Sequence, residues 1–347
     1  LSLHDALPIL VIMILFTCII SSLTVDRASQ RILLKERLHT DKAPDVLDDE
    51  KMLLPLKYHG NSDKLVSLAI LMRNQRLNRG IIGLNVVLDD NNVQKNQALG
   101  YQLLEQATKA ASAADVRMQT QSRLATNIAN GIKHAFKEND ASEIIIAMHR
   151  PNSDDDSFWG AHTQGLIDAI PRQIIIFRAS RRLTTVRRIV VAMPSRVEFE
   201  SGFYRWNERL LRLAEQIGCR IDYHGRQETM SLIRDYADTR HPQARTAFVH
   251  MEHWKELTSL SKVVNDDHLF IVITARKGTV SYKATFEYLP SELSQYFGHC
   301  SLAIVYPDQY GQPQDTMTFT SPQQQNGASA YELLVAYLRN KFRKHIP

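Results

Sequence analysis

Ser142-Glu143-Ile144-Ile145-Ile146-Ala147-Met148 is the stretch that decides the fold. Its run of isoleucines shows no polar alternation, so it reads as a strand covered on both faces; a sheet with one wet face would place a polar residue at every second position. The pattern returns in Gln173-Ile174-Ile175-Ile176-Phe177, with helical spacing near Gly165–Ile170 between the two. Consecutive strands joined through a helix are parallel, because only a crossover carries the chain back to start a second strand in the same direction.

The same alternation extends towards the amino end. Met52-Leu53-Leu54-Pro55-Leu56 is a short apolar run of strand length, and Leu65, Leu68, Ala69, Met72 and Arg76 then fall at helical spacing behind a cap at Asn61 or Ser62. Ile81–Leu88 is strongly β-prone, and a helix from about Gln94 to Ala114 carries Leu99, Leu103, Ala107 and Ala110 on one face. A strand near Val116–Leu124 and a helix near Ile128–Asn139 complete a first α/β domain over residues 51–178.

Beyond a basic hinge at 179–186 the plan restarts with Arg188-Ile189-Val190-Val191-Ala192-Met193-Pro194. A helix over Phe203–Ile217 buries Leu210, Leu213, Ala214 and Ile217. Strands at Cys219–Tyr223, Thr246–His250 and Leu269–Thr274 alternate with helices near Gln227–Asp238 and Trp254–Val264, and Ser301–Pro307 closes the unit. Residues 187–308 therefore repeat residues 51–178. The expected fold class is α/β: two tandem open parallel-sheet, doubly wound domains.

The ends of the chain are different. Ala6 to Leu23 is apolar and uncharged, about 18 residues or roughly 27 Å of helix, which is at the short end of a bilayer span. Arg27, Arg31, Lys35, Arg37 and Lys42 follow it, a basic flank of the kind that stays on the cytoplasmic side. A secretory signal peptide is the competing reading, opposed by the lack of a basic residue before the run; a buried core helix is the other. Ser2–Ile9 is also the translation of TCC CTA CAC GAC GCT CTT CCG ATC, a sequence that looks like a common short-read sequencing adapter. Residues 1–9 are therefore expected to be an artefact, 10–26 the partial, terminal part of a transmembrane helix and 27–50 a charged linker. At the other end, 309–328 reads as a flexible linker and 329–347 as a basic amphipathic helix, with Tyr331, Leu334, Val335, Leu338 and Phe342 on one face. That helix either packs on its own domain or lies on an anionic membrane or a partner.

Composition removes several function classes. Hydrophobic residues at 44% and charged residues at 23% of 347 are ordinary for folded protein, and a net charge of +5 spread along the chain excludes nucleic acid as a partner. Cys18, Cys219 and Cys300 form no Cys-x-x-Cys pair, which fits a reducing compartment and neither a disulfide framework nor zinc. His250 and His253 lack a third ligand, and no Ser–His–Asp order, nucleophile elbow or phosphate-loop lysine motif is present. Neither an enzyme nor a resident cofactor is expected.

Ligands of open α/β sheets bind outside the carboxyl ends of the strands, so the loop from Ala147 to Thr163 is the first candidate site. Arg150 is placed to pair with an anion, assisted by His149, Gly160, His162 and Thr163. The alternative is a solvated loop in which Asp154, Asp155 and Asp156 neutralise these residues. The second copy offers Ala275-Arg276-Lys277-Gly278-Thr279-Val280-Ser281-Tyr282-Lys283, basic and nearly free of glycine.

Architecture and loop position together resemble the universal stress protein domain, present as a tandem pair. Nucleotide-binding members of that family hold phosphate with Gly-x-x-Gly, nine residues, then Gly-Ser or Gly-Thr. Here those positions are Ala147, Arg150, Gly160 and Ala161, so one of the four matches. The lost glycines matter, because a phosphate oxygen must reach backbone N–H groups without meeting a Cβ.

A membrane helix leading into two such domains resembles the C-terminal region of bacterial sodium/proton exchangers of the second monovalent cation–proton antiporter family. Leu15–Ser22 followed by Asp26-Arg27-Ala28 is similar to the end of their last membrane helix, and Leu302–Gln309 to their closing strand. The resemblance implies the cytosolic regulatory region of a truncated antiporter whose exchange site lies in missing upstream helices. It places the chain at the bacterial inner membrane, with residues after about 26 in the cytosol. The implied partner is the membrane-embedded antiporter domain, and a homodimer stays open. The alternative is a tandem module that binds a nucleotide or another anionic small molecule, tethered by one helix.

Overall fold

The computed structural model describes residues 13, 17, 50–57, 59–75, 80–148 and 161–309. Met13 and Thr17 are helical, and the Thr17 hydroxyl donates to the Met13 carbonyl at 3.0 Å. The rest of the expected membrane segment, the charged linker except Glu50 and everything after 309 lie outside the described residues; Glu50, expected in that linker, is buried in the folded body. Among the described residues, no helix is long and apolar enough to cross a membrane.

The first half runs β1 (Met52–Pro55), α1 (His59–Met72), β2 (Ile81–Leu88), α2 (Val93–Ser112), β3 (Met118–Ala125), α3 (Ile128–Glu138), β4 (Glu143–Ala147), α4 (Ala161–Ala169) and β5 (Gln173–Arg178). The second runs β6 (Arg188–Ala192), α5 (Phe203–Ile217), β7 (Arg220–Gly225), α6 (Gln227–Arg240), β8 (Arg245–His250), β9 (His268–Ile273), α7 (Leu289–Tyr296) and β10 (Ser301–Tyr306). The expected doubly wound α/β plan is present in both.

Strand order is β3-β2-β1-β4-β5-β10-β9-β6-β7-β8, so each half repeats one parallel five-strand order and the halves meet at β5 and β10. That pairing is antiparallel, with Ile176 opposite Ile304 and Phe177 opposite Ala303. Two separate sheets were expected; one ten-stranded sheet is found. The reason is physical: β5 and β10 are buried almost throughout, and an apolar edge left unpaired would expose a row of backbone donors and acceptors.

Alternation along the strands feeds two core layers. Leu54, Ile145, Ile175, Val191 and Ile271 face the layer made with α1, α2, α5 and α6. Leu53, Ile144, Ile174, Val190 and Val272 face the layer made with α3, α4 and α7. Each strand is thus apolar on both sides because both sides carry helices.

Two local expectations fail. The first helix starts at His59, so Asn61 and Ser62 lie in its first turn instead of capping it, and Ser62 is buried. The expected α-helix at Trp254–Val264 is a 3-10 helix, Trp254–Lys262. Its backbone bonds run three residues back at both ends, Glu256 N–H to the His253 carbonyl at 3.0 Å and Val263 N–H to the Leu260 carbonyl at 2.9 Å.

Beside the sheet junction, α1 packs against α5, the equivalent helix of the other half. Arg209 on α5 is fully buried there. Its Nε donates to Glu143 Oε1 at 2.8 Å, Nη2 lies 2.7 Å from the same oxygen, and Nη1 lies 3.0 Å from Glu50 Oε2. The two Nη groups sit off the hydrogen-bond axis and act by charge alone. Gln173 Nε2 holds the other Glu143 oxygen at 2.9 Å. Burial opposes the guanidinium's charge, but Glu143 and Glu50 outweigh it and raise the Arg209 pKa. Removing one member of a buried ion group strands the others, so Arg209→Met is expected to lower stability by about 3–5 kcal/mol in urea unfolding. Adding Glu143→Gln to it should cost less than the two single changes summed; strict additivity would contradict the coupling.

Candidate functional site

The sheet order reverses direction between β1 and β4 in the first half and between β6 and β9 in the second. These switch points open crevices at the strands' carboxyl ends, where side loops diverge to either face. In the first half the crevice is framed by Leu56, whose N–H donates to the Leu84 carbonyl at 2.8 Å, and by Met148, whose N–H donates to the Phe177 carbonyl at 2.8 Å. On the neighbouring strand β2, buried Asn85 donates to the Leu56 carbonyl at 2.9 Å. A Cβ at Gly100 would come within 2.1 Å of Asn85 Oδ1, so α2 can approach β2 only with glycine there.

His149, Arg150 and Gly160 of the sequence-derived candidate set lie outside the described residues. His162 falls in the first turn of α4, and its side chain is likewise outside the description. Thr163 is described: it is in the first turn of α4 and buried, at the helix end where backbone N–H groups lack intrahelical partners. Met148 and Thr163 therefore bracket the candidate loop on β4 and α4.

The corresponding loop of the second half is committed to the protein itself. Arg276, three residues beyond the end of β9, reaches into the first half at the far end of α4. It donates to the carbonyls of Ile167 (3.2 Å), Ile170 (2.9 Å) and Arg172 (2.7 Å), and to that of Pro307 (2.5 Å). A guanidinium suits this place, because the last carbonyls of a helix are unpaired and carry the negative end of its dipole. Burial pushes the Arg276 pKa down to about 10, against the opposing pull of Tyr306, Asp308 and Glu200. The surrounding groups complete the clamp. Ser281 donates through both its N–H and its hydroxyl to Glu200 Oε1 (2.9 and 2.5 Å), and Gln309 Nε2 to Glu200 Oε2 (2.8 Å). Asp308 sits 3.0 Å from Arg205 of the second half and 3.4 Å from Arg172 of the first.

Helix α4 thus begins where the first candidate loop ends, and finishes in the grip of the second half's equivalent loop. The basic loop of the second copy thus commits Arg276 to carbonyls of the protein itself. Sequence could not supply this, because three of the four partners are backbone oxygens more than a hundred residues away.

A separate cation group lies at the carboxyl edge of β6 and β7. Arg196 follows β6 with a left-handed φ of 69°, Arg226 follows β7, and Lys283 precedes the turn into α7. Burial lowers the Lys283 pKa, and the charges of Arg226 and Arg196 lower it further against Glu252. Glu252 itself pairs with Arg226 at 2.7 Å. Nearby, His224 is buried and its pKa is depressed by burial, with Asp222 opposing. Arg196 and Arg226 were readable in principle: each follows a strand's end, where the carboxyl-end rule points.

Among the described residues, no three of His, Cys, Asp and Glu are grouped to hold a metal ion. His250 is exposed, 3.4 Å from Glu252. Cys219 and Cys300 are buried, and burial pushes each thiol up to about 11, away from nucleophilic use.

No protein-family model and no curated protein sequence matches the chain. Among solved structures, a universal stress protein from Archaeoglobus fulgidus is similar at 12% identity with a TM-score of 0.52, covering 76% of this chain and 98% of that one. The cytoplasmic domain of a prokaryotic cation chloride cotransporter is similar at 10% identity with a TM-score of 0.51, covering 78% of this chain and 99% of that one. At these identities the likeness establishes the fold: the chain has a universal stress protein-like α/β fold.

Arg276→Met would leave the Ile167, Ile170 and Arg172 carbonyls without their charged donor, at a cost on the order of 3 kcal/mol. In hydrogen exchange the variant should lose protection in α4 while β1–β3 keep theirs; unchanged protection of α4 would show that the clamp does not hold that helix.

Proposed function

We propose that this chain is the cytosolic regulatory region of a cation transporter, and specifically of a sodium/proton antiporter, whose exchange chemistry resides in membrane helices outside it. One observation carries the proposal: the second half spends its ligand-type loop on clamping α4 through Arg276, so the two halves form one body linked to the first half's candidate loop. A pair of independent binding modules has no need of such a clamp. An element that passes a change at one end of α4 to the other half does. The use of a similar fold as the cytoplasmic domain of a cation chloride cotransporter supports the reading.

Under this proposal the body lies in the cytosol beneath the bacterial inner membrane, partners the membrane-embedded antiporter domain and performs no catalytic step of its own. Regulation then means unequal contact with two states of the transporter, each state favoured by as much as the contacts differ.

A small-molecule role is favoured by one further observation: Arg196, Arg226 and Lys283 place three cations at the carboxyl edge of the second half, with Glu252 beside Arg226 and Glu198 beside Arg196. Such a surplus suits a nucleotide or another anion.

The genomic sequence upstream of these codons tests the main proposal. An in-frame series of membrane helices directly before residue 10 is expected; a stop codon or a soluble domain there would overturn it. For the small-molecule role, titration calorimetry with ATP and ADP should give micromolar binding that Arg226→Gln weakens at least tenfold, roughly the 1.4 kcal/mol or more of one charge-assisted contact. Absence of heat at millimolar nucleotide would remove it.

A further inference from the structure

His241 ends α6, with its N–H on the Ala237 carbonyl at 2.8 Å and a side chain that is only 9% exposed. Its two ring nitrogens each face a carboxylate of α5: Nδ1 lies 2.9 Å from Glu215 Oε2, and Nε2 lies 2.9 Å from Glu208 Oε2. An ionised carboxylate only accepts, so both nitrogens must carry hydrogen for both contacts to form, and the ring is then an imidazolium. Arg212 and Arg209 on α5 and Tyr236 on α6 also act on Glu208, and Arg240 on α6 acts on Tyr236.

Glu208 is the branch point. Besides His241 it accepts from the Tyr236 hydroxyl at 2.5 Å, and its Oε1 takes Arg212 Nη2 at 2.7 Å. Arg212 Nη1 reaches across to Glu50 Oε2 of the first half at 3.1 Å. Glu50 in turn contacts Arg209 at 3.0 Å and accepts the Asn74 N–H at 2.7 Å. Charge contacts therefore run unbroken from His241 through Glu208, Arg212, Glu50 and Arg209 to Glu143, crossing the junction between the halves.

We propose that His241 is a proton-operated latch on this junction: its imidazolium holds Glu208, leaving Arg212 free to hold Glu50 of the first half. On losing its proton the ring keeps one N–H and turns a lone pair towards one carboxylate. Glu208 then retains its charge with one cation fewer and draws Arg212 from Glu50, so the junction loosens. The latch stands on these contacts alone and does not depend on a transporter role.

The electrostatics agree in direction. Burial disfavours the His241 charge, but the hydrogen bonds and charges of Glu208 and Glu215 outweigh it and raise the pKa above its ordinary 6.5. Burial likewise pushes Glu208 up, but His241 and Arg212 outweigh it and bring it down to about 2. A histidine raised by folding adds stability that is complete below 6.5 and disappears as the pH climbs through its folded value. A carboxylate depressed by folding adds stability above its ordinary 4.5 that is lost as the pH falls towards about 2. The pair is therefore at full strength between 4.5 and 6.5 and releases on the alkaline side through His241.

Hydrogen exchange of the full chain, corrected for the intrinsic pH dependence of exchange, tests the latch at the Asn74 amide. Protection there should fall severalfold as the pH climbs from below 6.5 through the folded His241 value. His241→Gln should flatten that dependence. An identical pH profile in wild type and His241→Gln overturns the proposal, as does a change confined to α6. Should His241→Gln not fold, Glu215→Gln serves: with one carboxylate charge removed from beside the ring, the His241 titration, followed by NMR, should move to lower pH and the Asn74 transition with it. An Asn74 transition that stays in place while the ring titration moves would likewise refute the latch.

Discussion

The guanidinium of Arg209 between Glu143 and Glu50 is the contact on which the rest of the architecture depends. It lies with no exposed surface where α5 of one half meets the start of β1 and β4 of the other. Attraction alone does not justify burying three charges, since desolvation costs several kcal/mol per ion. What such a group supplies is specificity: only one register of α5 against α1 puts the fork on both carboxylates. The apolar contacts around it, such as Trp206, Leu210 and Leu213 against the α1 side of the core, would tolerate a slide that the ion group does not.

From that contact the internal two-fold plan becomes asymmetric. The halves share strand order and helix placement, but their chemistry differs at corresponding places. The first half's loop after β4 carries His149, Arg150 and three consecutive aspartates. The second converts its loop after β9 into the Arg276 clamp on α4. Duplication followed by such divergence yields one body in which the second copy braces the first.

Much of this was legible in the chain. The isoleucine runs at 144–146 and 174–176 demanded a sheet covered on both faces, and the restart at Arg188 demanded a second copy. The merging of the two sheets was not legible, because β5 and β10 look alike whether they pair with each other or with a helix-covered edge. Arg209 lies on a helix and Glu143 at the start of a strand 66 residues earlier; only the approach of α5 to β4 makes them partners. His241 showed no pattern at all, since its two carboxylates lie 26 and 33 residues away. The candidate residues His149, Arg150 and Gly160 followed from the carboxyl-end rule, and of that set Thr163 is the one whose buried position is described.

The central claim is that the two halves are one cooperative body. Differential scanning calorimetry of residues 50–309 tests it most directly. A single transition is predicted, with calorimetric and van't Hoff enthalpies equal within about 10%, as all-or-none unfolding requires. Two resolved transitions, one for each half, would contradict it.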